Sequence, residues 1–344
     1  MKFRNKKTIY LILVIIFIVL SLLIFTIIFF RNNKLKNIKF KLLFYDDYKE
    51  YLPVFLYISQ FQYILHDKFN LQSEIIKDIN FDIDDSDICF ICFSIHMNYE
   101  LIEKIKKMKG KVIFIATEIY DGVLDRLLTD DDDMRDCTLA KCTIFEYSQS
   151  NIFKWKKDFP ELLNVEYLPF LFDDYLIHFY ELYKHKRIPW KDKENDILIF
   201  GNLSPRRENI FNNLKSKYNI KQIIRYSIED AINEIENSKI ILNVFREDFL
   251  TNIFDYFRIS FLFSNKIFVI CENLTNIDID YEKNLIDYET ELIMTDYHNI
   301  ENLVDKYMKY DENEINKILD KQFKWFSRNK METLYSDFFN NLYN

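Results

Sequence analysis

A short turn between an apolar run and a polar helix start carries the residues best suited to chemistry. It spans residues 200–207, FGNLSPRR. Gly201 permits a tight turn, and Ser204 can cap the helix that follows. Arg206 and Arg207 then fall in the first helical turn, beside backbone N–H groups, where they make a candidate anion site. The alternative is a basic helix start whose long side chains reach into water.

A second candidate lies further along the chain. Asp255 and Arg258 are three residues apart, which puts both on one face in the first turns of a helix that Thr251 could cap. Arg258 could meet a phosphate there. An acid near a helix N-terminus also complements the dipole, so the pair can equally be a structural salt bridge.

Two acidic residues follow strand-like runs, at the edge where ligands bind in open α/β sheets. Glu272 ends an apolar run, where it is either a ligand contact or a structural turn residue. Glu118 follows the run 111–116 and could act as a general base toward a hydroxyl group. The alternative for Glu118 is a partly exposed loop acid.

The spacing of the metal-ligating residue types does not favour a metal site. The Asp-x-Asp patterns in 85–87 and 130–133 are better explained as solvated loop acids, because one precedes a strand and the other follows a helix end. The five His show no His-x-x-x-His spacing. We therefore expect no metal ion and no bound cofactor.

Strand-like and helix-like segments alternate on both sides of a polar stretch, 183–195. Apolar runs such as 88–93 and 111–116 are typical of strands covered on both faces in a parallel sheet. Helical segments between them supply the crossovers, so each half predicts a Rossmann-like, doubly wound α/β domain. The tail, 300–344, is predicted to be helical throughout.

These patterns predict four regions. They are a membrane anchor with a basic stalk at 1–39, a first Rossmann-like domain at 40–185, a second at 195–325 and a C-terminal helix at 326–344. The anchor prediction depends on residues 8–30, which contain no charged residue and are long enough to cross the ~30 Å hydrocarbon core as a helix. Basic residues flank the segment on both sides in similar numbers, so the positive-inside rule does not determine the orientation of the helix in the membrane.

Composition excludes two classes of protein. The chain has 344 residues, of which 46 are Lys or Arg and 54 are Asp or Glu, giving a formal net charge of −8 that argues against binding nucleic acid through phosphate neutralisation. Its hydrophobic fraction of 49% excludes a disordered chain. Cys89 and Cys92 lie inside an apolar run and are interpreted as buried strand thiols, not as a zinc or redox site.

Several segments resemble one known family. Four of them resemble the second domain of GT-B glycosyltransferases of the group-one, CgeB-like type: 196–207, 238–244, 257–259 and 268–272. Two more resemble the closing strands of the first domain in that family: 146–151 and 165–169. The resemblance covers roughly 111–323 and is firm over 195–272.

The resemblance implies a nucleotide-sugar donor on the second domain and an acceptor on the first. Carried over position by position, it makes 201–207, with Gly201, Asn202, Arg206 and Arg207, the loop and helix start that face the donor diphosphate. The placement of the other candidates adds Arg258 and Glu272 as donor contacts, and Glu118 and Asp255 as catalytic residues. The chain departs from the group-one pattern at Ser260, where the pattern has a Glu for the ribose hydroxyls, and at Asn265, where it has a Gly.

The resulting hypothesis is a membrane-anchored, metal-independent glycosyltransferase of hexosyltransferase type. It moves a sugar from a nucleotide sugar to a hydroxyl of a glycan, lipid or protein. The alternative is a catalytically degenerate GT-B domain that serves as a membrane-tethered binding or scaffold protein. The presence of only 3 Gly favours this alternative, because close backbone approach to a diphosphate usually needs glycine.

Glycosylation sequons and cysteines bear on which side of the membrane the α/β domains would lie. Asn202 and Asn273 begin glycosylation sequons beside the candidate donor site, where a glycan would block the cleft. Unpaired Cys also suit a reducing compartment. Both features favour a cytosol-facing active part, whereas a short basic tail followed by an anchor resembles Golgi-type enzymes with a lumenal catalytic region.

Overall fold

The computed structural model describes residues 16–17, 19–20, 39–44, 52–78, 80, 87–93, 99–116, 142–158, 160, 164–184, 186–224, 227–246, 256–273, 293–328 and 330–341. These residues form two parallel β-sheets flanked by helices. We call the first sheet with its helices the first unit, and the second sheet with its helices the second unit.

The first sheet contains six parallel strands in the order β2-β1-β3-β4-β5-β6. The strands are β1 (Lys39–Leu43), β2 (Gln72–Ile76), β3 (Ile88–Phe93), β4 (Lys111–Ile115), β5 (Cys142–Glu146) and β6 (Val165–Tyr167). The described helices around them are α1 (Leu52–Tyr63), continued by a π-helical turn at Ile64–Lys68, α2 (Tyr99–Lys107) and α3 (Gln149–Asp158). A further helix, α4 (Asp174–Tyr183), leads toward the second unit.

The burial of β4 shows why its apolar run is continuous. Val112 and Phe114 belong to one core cluster, whereas Ile113 and Ile115 belong to another. Successive side chains of a strand point to opposite faces, so both faces of β4 are covered. The prediction of strands buried on both faces of a parallel sheet is confirmed.

The second sheet contains five parallel strands in the order β11-β10-β9-β7-β8. The strands are β7 (Asn195–Phe200), β8 (Ile220–Ile223), β9 (Ser238–Asn243), β10 (Val269–Glu272) and β11 (Met294–Thr295). The described helices of this unit are α5 (Pro205–Leu214), α6 (Ile228–Glu236), α7 (Tyr256–Ser264) and α8 (Ile300–Tyr307).

The strand order of the second sheet reverses at β7. This strand pairs with β8 on one side and with β9 on the other, so the chain crosses over β7 on its way from β8 to β9. In open α/β sheets, ligands bind in the crevice at the carboxyl ends of the strands that flank such a reversal. The fold therefore directs attention to the ends of β7 and β9.

Two C-terminal helices follow the second sheet. The helix α9 (Glu312–Phe326) starts with a capping box, in which the side chains of Asp311 and Glu314 each accept from the other's backbone N–H. The helix α10 (Met331–Asn341) then returns to the first unit. There the ring centroid of Phe338 lies 4.3 Å from that of Phe145, so α10 closes part of the core beneath the first sheet.

The two units also meet through α7. The hydroxyl of Ser260 donates to the carbonyl of Phe170, and Nδ2 of Asn265 donates to the carbonyl of Leu176 at 3.2 Å. Aromatic side chains of α4 and α7 also pack against each other, with Phe179 and Tyr180 on the ring of Phe261. One hydrophobic cluster consequently contains residues of both units.

The structure contains two strands that the sequence did not predict, β2 and β11. Both lie at sheet edges. The side chains of β2, whose sequence is QSEII, are partly or fully exposed, and β11 has only two residues. Neither strand therefore shows the apolar run that is typical of a central strand. The predicted helical tail consists of three separate helices, α8, α9 and α10.

The predicted location as a single-pass membrane protein is wrong. No helix of the described residues is long and apolar enough to cross a membrane. The longest α-helix among them, α9, has 15 residues. At a rise of about 1.5 Å per residue it spans roughly 22 Å, which is short of the ~30 Å hydrocarbon core. Within the segment 8–30, which carried the prediction, only 16–17 and 19–20 are described.

A carboxylate is fully buried where β5 ends. Oε1 of Glu146 accepts from the backbone N–H of Ser148 and from Nδ2 of Asn151, both at 3.1 Å. Oε2 accepts from Nε1 of Trp155 at 3.0 Å. Burial raises the pKa of Glu146 to about 7, although these donors favour the ionised form.

The raised pKa predicts a specific pH dependence of stability. Between pH 4.5 and about 7, the folded chain keeps a proton on Glu146 that the unfolded chain has released, so stability falls as the pH rises through this window and levels off above it. Relative to Glu146→Gln, the free energy of unfolding of the unmodified chain should fall by roughly 3 kcal/mol across the window. Chemical denaturation over a pH series measures the difference. The exposed control Glu166→Gln should follow the unmodified chain, and parallel profiles for the chain and Glu146→Gln would contradict the prediction.

Candidate functional site

The candidate site lies where β7, β9 and β10 end. The turn that begins at Gly201 follows β7, Val244 and Phe245 follow β9, and Glu272 is the last residue of β10. Parallel strands bring these three ends to one edge of the sheet. The sequence placed its donor residues at this edge, and the structure brings them together there.

Gly201 makes the turn possible. Its φ of +85° lies in the left-handed region, which side chains with a Cβ rarely adopt. The turn is held on both sides, because the N–H of Gly201 donates to the carbonyl of Ile223 at 2.8 Å and its carbonyl accepts from Nε2 of Gln222 at 3.0 Å. A Cβ at this position would lie 3.5 Å from Nη1 of Arg207.

The helix α5 begins as the sequence predicts. Ser204 is its cap, since its hydroxyl oxygen accepts from the backbone N–H of Arg207 at 3.4 Å. The same hydroxyl donates to the carbonyl of Arg246 at 2.6 Å. One side chain thus fixes the start of α5 and the segment that follows β9.

Arg206 and Glu272 form a bidentate ion pair across the crevice. The side chain of Arg206 is 14% exposed and that of Glu272 is 4% exposed, so the pair is largely removed from water. The pair also holds both backbone polar groups of Phe245. Its N–H donates to Glu272 at 3.0 Å, and its carbonyl accepts from Arg206 at 3.3 Å. Arg206 is therefore not the solvated side chain of the alternative interpretation.

Arg207 joins the other two strand ends. Its Nε donates to the carbonyl of Val244 at 2.8 Å, and its Nη1 donates to the carbonyl of Asn202 at 3.2 Å. Val244 follows β9 and Asn202 belongs to the turn after β7. The guanidinium group consequently lies directly over the reversal point of the sheet.

Arg258 approaches the same edge from the other face of the sheet. The helix α5 packs on the face that carries Ile199, whereas α7 packs on the face that carries Phe200. From α7, Nη1 of Arg258 donates to Oδ1 of Asn243 at 2.6 Å, and its Cζ lies 5.9 Å from the ring centroid of Phe200. Three guanidinium groups therefore flank the crevice, and one of them, that of Arg206, is paired with the carboxylate of Glu272.

Sequence reasoning missed Tyr297, which lies in a short 3-10 turn after β11. The Cζ atom of Arg206 lies 4.0 Å from the centroid of its ring. The hydroxyl of Tyr297 donates to the carbonyl of Arg206 at 2.8 Å and accepts from Nδ2 of Asn209 at 3.2 Å. No local pattern marks this residue, because it lies 91 positions from its partner and meets it through the strand order alone.

The two predicted catalytic residues, Glu118 and Asp255, lie outside the described residues, as does the predicted cap Thr251. Their roles stay predictions. The positions where the chain departs from the group-one pattern are both described. Ser260 of α7 and Asn265, which directly follows α7, make hydrogen bonds to the first unit.

Comparison with known proteins rests on structure alone, since no family model and no curated protein matches the sequence. Anabaena HepE in complex with UDP and glucose has a TM-score of 0.56 and 9% identity, covering 89% of this chain and 99% of its own. Sucrose-phosphate synthase from Thermosynechococcus elongatus has a TM-score of 0.50 and 7% identity, covering 89% of this chain and 99% of its own.

HepE in complex with UDP-glucose is also similar, with a TM-score of 0.50 and 7% identity, covering 88% of this chain and 99% of its own. At these identities, likeness shows the fold and nothing finer. The predicted GT-B fold is confirmed, whereas the CgeB-like subtype stays a prediction. The chain is a protein of two parallel-sheet α/β units with the GT-B fold.

Proposed function

We propose that the chain is a glycosyltransferase that moves a sugar from a nucleotide-sugar donor to a hydroxyl acceptor. The observation that carries the proposal is the arginine-flanked crevice at the reversal point of the second sheet. Arg206 and Arg207 reach it from one face, and Arg258 from the other. Guanidinium groups at the carboxyl ends of parallel strands suit a diphosphate. The fold shared with HepE in complex with UDP and glucose supports the same class of donor.

The arginines divide into two roles. A diphosphate that took Arg206 away from Glu272 would leave a carboxylate that is 4% exposed without its guanidinium partner. Breaking a buried pair in this way typically costs ~3–5 kcal/mol. A charge-assisted contact to phosphate returns only ~1.5–3 kcal/mol. We therefore assign the diphosphate to Arg207 and Arg258, and the framework of the crevice to Arg206 and Glu272.

The turn after β7 completes the donor site. Gly201 has no side chain, and its positive φ directs the chain past the crevice toward Asn202 and the start of α5. The positive end of the α5 helix dipole lies at this turn, which favours an anion. These residues suit the donor diphosphate as the resemblance implied.

In the proposed reaction, the acceptor oxygen forms a bond to the anomeric carbon of the donor sugar. The bond from that carbon to the diphosphate oxygen breaks, and the nucleoside diphosphate leaves with the electron pair. A carboxylate base takes the acceptor proton, and Glu118 and Asp255 stay the candidates for that base. Arg207 and Arg258 stabilise the charge on the leaving diphosphate, which is the role a divalent ion has in metal-dependent transferases, so we propose a metal-independent reaction.

Nucleotide release tests the proposal. The full chain is incubated with a set of nucleotide sugars that includes UDP-glucose and with free sugars, a glycolipid and a glycoprotein as hydroxyl acceptors, with and without a chelator, and free nucleotide is measured together with donor binding. Donor-dependent release that a chelator does not reduce supports the enzyme and its metal independence. Release that the chelator abolishes overturns metal independence. Binding without release supports the catalytically degenerate alternative, and absence of binding overturns both.

The role of Arg207 predicts a loss of donor affinity. The variant Arg207→Ala should bind UDP about tenfold to hundredfold more weakly, because it loses a charge-assisted contact to phosphate. Isothermal titration calorimetry measures the change. The matched control is Lys215→Ala, which removes an exposed cation at the far end of the same helix and should leave UDP affinity unchanged. Equal affinities for Arg207→Ala and the unmodified chain would exclude Arg207 from the site.

The role of the Arg206–Glu272 pair predicts a loss of stability. Arg206→Ala should lower the free energy of unfolding by about 3–5 kcal/mol, since Glu272 is left buried and unpaired. In a double-mutant cycle, Arg206→Ala with Glu272→Ala should cost clearly less than the two single losses added together. Urea denaturation of the four proteins measures the coupling. A negligible loss for Arg206→Ala would contradict the buried ion pair and would support a side chain that reaches into water.

A further inference from the structure

Arg206 is held by groups from three different elements. Its guanidinium forks onto Glu272 at the end of β10 and donates to the carbonyl of Phe245 after β9. The Cζ atom of its guanidinium lies over the ring of Tyr297, at 4.0 Å from the centroid. An aromatic ring beside a planar cation adds a contact that restrains the plane of the guanidinium further than its hydrogen bonds do.

The position of Tyr297 is itself fixed. Its hydroxyl bridges two residues of α5, donating to the carbonyl of Arg206 at 2.8 Å and accepting from Nδ2 of Asn209 at 3.2 Å. Its ring meets that of His298 edge-on, with centroids 5.4 Å apart. The ring also packs against the core cluster beneath α5 and α8. Tyr297 is thus held in place by contacts outside the crevice, and it contacts Arg206 from the 3-10 turn after β11.

The effect of this support extends to the proposed donor contact. Arg206 and Glu272 together hold the N–H and the carbonyl of Phe245. The preceding residue, Val244, supplies the carbonyl that accepts from Nε of Arg207 at 2.8 Å. A change in the plane of Arg206 therefore shifts the segment that orients Arg207.

We propose that Tyr297 is a positioning residue: by stacking on Arg206 it fixes the segment after β9 and so orients Arg207 toward the diphosphate of the donor. This inference rests on the proposed function. It goes beyond that function by adding a residue that touches neither the substrate nor the reacting atoms. Stacking is the operative contact, and the hydroxyl of Tyr297 is secondary.

The contribution of the diphosphate is the readout that separates positioning from simple packing. The affinity of the full chain is measured for UDP and for uridine, and the ratio of the two isolates what the diphosphate adds. A residue that only stabilises the fold changes both affinities together. A residue that orients Arg207 changes the affinity for UDP and leaves the affinity for uridine nearly constant.

Two variants separate the ring from the hydroxyl. Tyr297→Phe keeps the stack and should hold the UDP-to-uridine ratio within about twofold of the unmodified chain, whereas Tyr297→Leu removes the stack and should lower the ratio about fivefold or more. The control Tyr310→Leu removes another half-buried tyrosine of the second unit, one that packs on Tyr307 away from the crevice, and should leave the ratio unchanged. Thermal unfolding of each variant identifies any that fails to fold, in which case Tyr297→Met replaces Tyr297→Leu.

The outcomes are distinct. An unmodified chain that binds UDP no better than uridine contradicts the proposed function itself. If the unmodified chain prefers UDP and Tyr297→Leu keeps that preference, the proposed function stands and the positioning role is wrong. If Tyr297→Phe loses the preference as fully as Tyr297→Leu, the hydroxyl and not the stack is responsible, and the inference is overturned in that form.

Discussion

The ion pair between Arg206 and Glu272 is the constraint on which the crevice depends. It connects the first turn of α5 to the end of β10 and holds both backbone polar groups of Phe245 between them. Because the pair is largely withheld from water, either partner alone would be a buried, uncompensated charge. Each charge therefore depends on the other, and together they hold Phe245, the second residue after β9, by its N–H and its carbonyl. Arg207 takes its orientation from Val244, the residue before Phe245.

The helix α7 connects the crevice to the rest of the molecule. One of its residues, Arg258, contacts the end of β9, while Ser260 and the adjoining Asn265 bond to carbonyls of the first unit. Since all of these contacts come from α7 and the residue that follows it, the edge of the second sheet at β9 is tied to the first unit. Apolar packing joins the two units as well, because one hydrophobic cluster contains buried residues of both.

Local chemistry was predictable from the sequence, and partners across the fold were not. The Gly201 turn, the Ser204 cap and the central strands follow from residue type and spacing, which act over a few positions. Arg206 and Glu272 were each assigned to the donor, because nothing in a linear pattern shows that residues 66 positions apart neutralise one another. Tyr297 was missed for the same reason. The membrane location failed differently, since it was inferred from the apolar segment alone.

A structure of the full chain bound to UDP would show directly which arginine binds the diphosphate. We expect diphosphate oxygens within ~3.2 Å of the guanidinium of Arg207, at the carboxyl ends of β7 and β9, while Arg206 stays paired with Glu272. A nucleotide bound elsewhere, or a diphosphate seated on Arg206 with Glu272 displaced, would contradict this assignment.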